Sequence, residues 1–423
     1  MKKLLCYLIT ILLTIIQCTG CSDSIPTQSN NSAKQKVETT VSSVEQNQEK
    51  PVKSDESNEK ADATETEKAT ESKKESETDI APETEPEQDK TATMLPTPDN
   101  TTPSSGGDIS ISITAVGDCT FGTDINSASG KSFDNEYKEN NNDATYFLRN
   151  VKPYFENDDL TIVNFEGTLS SRGTRANKQF AFRGNPDYIN ILTSASVEAA
   201  NLANNHSRDY GEISMSDTKQ IMTDNNILHF EGSNLAVTEI NGIKIGLMGT
   251  NTQRDGSKAT LLKNIETLKA HNPDLIIASF HWGEESKANP NSKQIELAHA
   301  AIDSGVDLVI GHHPHVLQGI EKYKGKYILY SLGNFCFGGN RNPSDKDTMI
   351  FKQTFLFSNK ELISGGEVSI IPCSISSETS RNNYQPTALS GESFIRVKNK
   401  IKERSKNFPG IEDISFMEGK PTE

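Results

Sequence analysis

Cysteine is scarce in this chain of 423 residues: there are six, and only Cys119, Cys336 and Cys373 lie beyond residue 107. Three is an odd number, so no closed disulfide framework can use them all, and their spacing fits no zinc ribbon. They read as packing residues. Aromatic side chains are missing altogether from residues 22–107, a stretch dense in Glu, Lys, Thr, Ser and Pro. Such a segment cannot bury enough apolar surface to offset its ordering entropy, so it is expected to be disordered. It carries 19 acidic and 9 basic residues, a net of -10 out of the chain's -15, so the acidity belongs mostly to this segment. That balance says little about what the remainder binds. Hydrophobic residues make up only 33% and mean hydropathy is -0.58, low for a wholly packed chain of this length. No internal repeat is present.

The amino terminus has the build of a secretory signal over residues 1–20. Lys2 and Lys3 give the positive region, and residues 4–16 give an apolar stretch shorter than the roughly 20 residues that span a bilayer. Cys18, Thr19, Gly20 and Cys21 follow. Small residues directly before a cysteine resemble the lipobox of bacterial lipoproteins, with Cys18 where leucine is usual. The resemblance implies that Cys21 is acylated and becomes the new N-terminus on the extracytoplasmic face of a bacterial membrane. Two or more acyl chains would hold it there, since each buried CH₂ contributes about 0.8 kcal/mol. Residues 21–107 then form an acidic tether with a root-mean-square reach of roughly 50 Å.

Residues 108–423 are expected to form one domain, with its core at about 111–358. Apolar stretches at 109–116, 160–165, 228–230, 275–280 and 308–310 read as strands, and 197–203 reads as a buried strand that breaks in a polar cluster. Helical spacing marks 146–155, 186–195, 212–225, 259–270, 292–304 and 393–405. Hairpins are expected at Asn241-Gly242 and across 319–332, late strands at 351–357 and 367–371, and loop over 126–142 and 170–177. Strands alternating with helices and interrupted by hairpins imply an α/β fold of mixed sheets covered by helices.

Several of these strands end in polar residues: Gly117-Asp118, Asn164-Phe165-Glu166, Asn204-Asn205-His206 with Asp209, His281 with Glu284 and Glu285, and Gly311-His312-His313-Pro314-His315. Strand ends that carry Asp, Glu, Asn and His point into a cleft, where α/β proteins bind ligands. A single Gly-Asp or a single histidine there is usually structural. The set is what points to chemistry: hard oxygens with imidazoles suit manganese, iron or zinc. A pair of such metals can bind a phosphoryl oxygen and activate a water. The metal-free alternative has His206 as general acid or base oriented by Asp209, with Arg172, Arg175 or Arg183 holding an anionic ligand.

Taken in order, the motifs GD (Gly117), NFEG (Asn164), NLANNHSRDYG (Asn201), HWGEE (His281), GHHPHVLQG (Gly311) and YSLGNF (Tyr330) resemble the CapA family of capsule-biosynthesis proteins, which is associated with poly-γ-glutamate. The later histidine motifs resemble the calcineurin-type metallophosphoesterase series. The likeness covers about residues 111–337 and fades past Ser358. It implies a four-layer metallophosphatase-like sandwich, two mixed β-sheets flanked by helices, with the site at one edge. It also implies an envelope protein serving synthesis, export or retention of an anionic polymer together with a membrane synthase. No nucleic-acid partner is expected. Carried over by position, Asp118, Asn205, His206, His281, His313 and His315 are the metal candidates, with Glu166 where a bridging Asp is usual. His206, Asp209 and Glu166 are the catalytic candidates. Asn164, Arg172, Arg183, Glu285 and Asn334 are the candidates for holding substrate. One departure stands out: phosphoesterases begin with Asp-x-His, whereas this chain has Asp118-Cys119-Thr120, and a hydroxyl is a poor substitute for imidazole. The resemblance therefore leaves open a metal-dependent hydrolase or transferase, a non-catalytic polymer-binding subunit, and a wall phosphodiesterase.

Overall fold

The computed structural model of the protein describes residues 93–94, 108–127, 129–254 and 256–419. The expected signal sequence, Cys21 and nearly all of the acidic stretch lie outside the described residues. Among the described residues, no helix is long and apolar enough to cross a membrane.

In chain order, the frame consists of β1 (Ile109–Thr120), α1 (Phe133–Glu139), β2 (Leu160–Glu166), β3 (Ala199–Asn201), α2 (Glu212–Asp224), β4 (Leu228–Phe230), β5 (Ala236–Ile240) and β6 (Ile243–Asn251). It continues with α3 (Lys258–Lys269), β7 (Leu275–His281), α4 (Ser292–Asp303), β8 (Leu308–His312), β9 (Ile320–Tyr323) and β10 (Lys326–Leu329). It closes with β11 (Asn334–Phe337), β12 (Asp347–Ser358), β13 (Val368–Ser374) and α5 (Gly391–Ser405). One sheet runs β13-β12-β1-β2-β3-β4, with β11 beside β1. Strands β1 to β4 are parallel and β12 is antiparallel to both its neighbours. The other sheet runs β5-β6-β7-β8-β10-β9, parallel from β6 to β10, with an antiparallel hairpin at each edge.

The period-2 alternation of the strands explains why the sheets stack. Ile111, Ile113 and Ala115 of β1 meet Leu275 and Ile277 of β7 and Leu308 and Ile310 of β8 in a core between the sheets. The alternate residues of β7, Ile276, Ala278 and Phe280, turn the other way and pack with Leu261 and Ile265 of α3 and Leu297 and Ala301 of α4. Val163 and Phe165 of β2 likewise face Phe133 of α1 and Met215 and Met222 of α2. The result is the expected sandwich: helices, sheet, sheet, helices.

Local signals act as predicted at several points. Asn241 and Gly242 both take positive φ, 52° and 84°, which a two-residue hairpin turn requires. Helix α4 begins with a capping box in which Asn291 and Gln294 satisfy each other's backbone amides. Three expectations need correction. The stretch 126–142, read as loop, contains α1, because Ser132 caps it and Phe133 is anchored by stacking on Phe147 at 4.4 Å. Residues 146–155, read as one helix, form two, Thr145–Leu148 and Lys152–Phe155, with Pro153 at the start of the second. Thr93–Met94, placed in the tether by composition, pairs in parallel with β5, whose outer edge would otherwise be open.

The sheet carrying β2 and β3 contains a pH-sensitive contact. Glu198 Oε2 accepts the Thr161 amide at 2.8 Å, and burial pushes its carboxyl up to about 7. The folded protein then holds this proton more tightly than the unfolded chain. The associated stability is complete below about pH 4.5 and is lost as pH rises through about 7. Glu198→Gln keeps the acceptor and removes the charge. It is expected to flatten the dependence and stabilise the protein at pH 8 by about 2 kcal/mol, after discounting for its half-buried position. Urea melts at pH 5 and pH 8 measure this, and equal pH dependence in both proteins would refute it.

Candidate metal centre

Both sheets present the carboxyl ends of their parallel strands at one edge, and register aligns polar residues there in two rows. Across the first sheet Asn334, Asp118, Asn164 and Asn201 are neighbours. Across the second, Asn251, His281 and His312 are neighbours. Close approach of the chain is built in. A Cβ on Gly117 would lie 2.0 Å from the Gly333 carbonyl, to which the Asp118 amide donates at 2.9 Å, and one on Gly311 would lie 2.2 Å from the Tyr330 carbonyl.

Asp118 is fully buried at the centre. Its Oδ1 accepts from Asn164 Nδ2 at 2.9 Å and lies 3.2 Å from His312 Nδ1, while its Oδ2 lies 3.0 Å from His315 Nδ1. Asn164 also donates to Glu166 Oε1 at 3.1 Å, and its own oxygen accepts from Asn201 at 3.1 Å and Asn204 at 3.4 Å. His281 has Nδ1 3.7 Å from Glu166 Oε1 and Nε2 2.9 Å from Asn205 Oδ1. His313 Nε2 meets Gln253 Nε2 at 2.7 Å, and the His281 and His313 rings are 4.6 Å apart. His313 and His315 hold positive φ, 96° and 57°. Left-handed backbone at two non-glycine residues flanking Pro314 is strain of the sort that functional sites retain.

Beside this cluster, His206 Nδ1 faces Asp209 Oδ2 at 2.7 Å, and Phe182 donates its amide to the same oxygen at 2.6 Å. Lys178 Nζ binds Asp209 Oδ1 at 2.8 Å and the Asn205 carbonyl at 2.9 Å, and lies 3.3 Å from His206 Nδ1.

Charge states follow from this packing. Burial alone would raise the Asp118 carboxyl, but His312 and His315 hold it well below the usual range. Burial and the Asp118 charge push Glu166 up to about 8. Burial opposes the charge on His315, but Glu166 and Asp118 outweigh it and raise the ring to about 9. Burial, then the charge on His315, lowers His313 to about 4; burial, then the neighbouring His313 ring, lowers His281 well below its ordinary value; and burial lowers His206. At neutral pH, His281, His313 and His206 are thus neutral imidazoles, the form that ligates metals. Burial drives the Cys119 thiol up to about 12, so it is no nucleophile.

The donors fit a divalent metal. Asp118 Oδ2, His281 Nδ1, His313 Nδ1 and both ring nitrogens of His312 are buried without a hydrogen-bond partner. Such a concentration of unmet polar capacity is costly unless something is bound. Asp118, Glu166 and His315 bring one donor atom each within 4.8 Å of one another, and so do Glu285, His313 and His315.

Of the residues expected from sequence, Asp118, Asn164, Glu166, Asn205, His281, His313, His315 and Asn334 converge, with Asn334 Oδ1 3.0 Å from His315 Nδ1. The arginines do not join them. Arg172 is exposed and paired with Asp217, Arg175 is paired with Asp124, and Arg183 lies over the Tyr210 ring at 4.1 Å. Charge alone had suggested them, and each cation is engaged by a nearer partner. The sequence reading missed His312, Gln253 and the anchoring role of Lys178. His312 stood in plain view beside His313, whereas nothing local marks Gln253.

The model of the bacterial capsule synthesis protein family PGA_cap matches residues 112–339. The chain belongs to this family. The match runs from β1 to just past β11 and so contains the whole strand-end cluster. Among curated relatives, the capsule biosynthesis protein CapA of Bacillus anthracis is 32% identical over 256 residues, 54% of this chain and 60% of that one. The PGA biosynthesis protein CapA of Bacillus subtilis (strain 168) is 32% identical over 219 residues, 46% of this chain and 57% of that one. A probable polyglutamine synthesis accessory protein of Mycobacterium tuberculosis is 26% identical, covering 42% of this chain and 55% of its own. The chain thus spans roughly three-fifths of the length of the curated relatives it matches. A crystal structure of a hypothetical protein from Thermus thermophilus aligns at a TM-score of 0.40 with 14% identity, covering 62% of this chain and 98% of that one, too loose to carry an argument.

Proposed function

We propose that this member of the capsule synthesis family is a lipid-anchored envelope protein. Its domain acts on an anionic capsule polymer of the poly-γ-glutamate kind, as a metal-dependent hydrolase or transferase working with a membrane synthase. The observation that carries the reading is the meeting of buried Asp118 and Glu166 with part-buried His315, three donor atoms within 4.8 Å of one another, beside imidazoles with unused nitrogens. The relatives' names for capsule and PGA biosynthesis supply the substrate class. Manganese, iron or zinc would be held by Asp118, Glu166, His281, His313 and His315. When bound, such a metal polarises the scissile group and makes a water more acidic. The chain supplies the rest. Asp209 takes up His206 Nδ1, which leaves Nε2 to hold or deliver a proton at the leaving atom, and Lys178 keeps Asp209 in place. A non-catalytic polymer-binding subunit is the second reading, favoured by Thr120 where an imidazole would be expected.

The full chain, purified with its metal content measured, should shorten poly-γ-glutamate. His206→Ala should slow this by about 10² to 10⁴-fold while metal content stays the same. Metal-free protein that binds the polymer without shortening it would replace catalysis with the binding role. Anchoring has its own test: Cys21→Ser should move the protein from the membrane fraction to the medium, and retention would argue for an uncleaved helix.

A further inference from the structure

We infer that Phe180 is a substrate-contact residue, a platform on which the polymer backbone lies as it passes His206. The inference deepens the proposed function and rests on its choice of polymer. Phe180 is 46% exposed, although phenyl rings are usually buried. Apolar residues scattered singly over a surface need no explanation, but this one is not scattered. Exposed Ile125 adjoins Asp124, whose carboxylate accepts the Ala181 amide at 2.8 Å. Exposed Ile213 lies beside Gly173, where an added Cβ would be 3.3 Å from its Cγ2. Three of the seven large apolar side chains exposed among the described residues thus border this one loop.

The backbone holds this ring out. Arg175 donates to the carbonyls of Lys178 and Gln179 at 3.0 and 3.2 Å, Asp124 accepts the Ala181 amide, and Asp209 accepts the Phe182 amide at 2.6 Å. The chain is therefore fastened on both sides of Phe180, and packing within the protein recovers only part of what burial of the ring would contribute. The ring also leads to the site. It is parallel to Phe182 within 6°, with centroids 6.4 Å apart, and Phe182 lies against His206 at 4.6 Å. Phe182 meets Phe337 across Gly339, where an added Cβ would be 3.0 Å from Phe182 Cζ and 2.6 Å from Phe337 Cζ. Phe337 in turn is 5.4 Å from the His315 ring. Apolar rings thus run from the surface past His206 to the His315 end of the cluster.

Such a path fits the backbone of a γ-linked glutamate chain. Each unit has a flat amide and two methylenes, which pack on a phenyl face, and a carboxylate, which does not. The nearby cations are already engaged: Arg172 pairs with Asp217, Arg175 with Asp124 and Lys178 with Asp209, while Arg183 lies over the Tyr210 ring. A rim built this way selects the chain by its backbone and leaves the carboxylates in water.

The test uses the full chain with poly-γ-glutamate, read as KM where the polymer is shortened and as Kd in calorimetry where it is only bound. Phe180→Ala should raise either constant about 10-fold, with kcat within about 2-fold and the melting temperature unchanged. The loss should be the same at low and at high salt, because no ion pair is removed. Phe180→Trp should restore the affinity. Unchanged KM and Kd in Phe180→Ala overturn the inference and leave the proposed function standing, and a loss that vanishes at high salt overturns it by assigning recognition to the carboxylates. Should Phe180→Ala fail to fold, Phe180→Leu, which keeps apolar volume without the flat face, decides, and full affinity there overturns the platform. Wild type that neither shortens nor binds the polymer sinks both readings.

Discussion

Asp118→Asn is expected to remove the first metal, lowering affinity by about 100-fold or more. Asp118 bridges the two sheets at the cluster, with Oδ1 beside Asn164 and His312 and Oδ2 beside His315. Asparagine keeps one oxygen and the shape. It loses the negative charge that a divalent ion needs in a dry site, and its NH₂ cannot ligate. Burial holds every group here at low dielectric, so the lost charge counts for more than on the surface. Glu166 should respond in the opposite sense. Part of its rise to about 8 comes from the Asp118 charge, so the substitution should bring it down. Metal analysis after dialysis, followed by calorimetric titration, reads the outcome. Undiminished binding would relocate the ion to Glu285, His313 and His315, the other group whose donor atoms come within 4.8 Å of one another.

Trp282→Ala should cost the fold about 3–5 kcal/mol. The chain's one tryptophan follows His281 and turns the opposite way, 1% exposed in the layer between the second sheet and its helices. It stacks on Phe280 at 4.5 Å and donates Nε1–H to the Tyr330 carbonyl at 2.8 Å. Truncation leaves a large void and an unpaired buried carbonyl together. A melting temperature lower by about 10 °C is expected. Trp282→Phe, which fills most of the volume, should recover more than half. A loss below about 1 kcal/mol on Trp282→Ala would mean that the helical layer collapses into the gap. Because Trp282 adjoins His281, its fluorescence in the wild type should also report metal uptake.

Much of this architecture could be read from the chain. The alternation over residues 109–116 and the apolar run over residues 275–280 announced strands, and Asn241-Gly242 announced its hairpin. Each strand that bore a polar cluster at its end does carry it to the rim. Helix α1 escaped notice because Asn, Asp, Ser and Gly surround it. What fixes it in place is Phe133 stacking on Phe147, a contact between segments that local propensity does not register. Strand β11 was missed for a related reason: four residues, NFCF, acquire strand geometry by pairing with β1.

For the site, the amino-acid order by itself determined which residues end each strand, that carboxylates, amides and imidazoles are among them, and that the acidity sits apart from them. Only the tertiary structure decided which of them share a point. Asp118 and Asn164 are 46 residues apart and meet through parallel register, whereas Asp118 and His312 meet through stacking of two sheets. The same packing withdrew Arg172 and Arg175 into other ion pairs and brought in Lys178, Gln253 and His312. Side-chain type and strand parity are local properties, while a shared ligand depends on distances of a few ångströms between elements, which register and sheet packing alone establish.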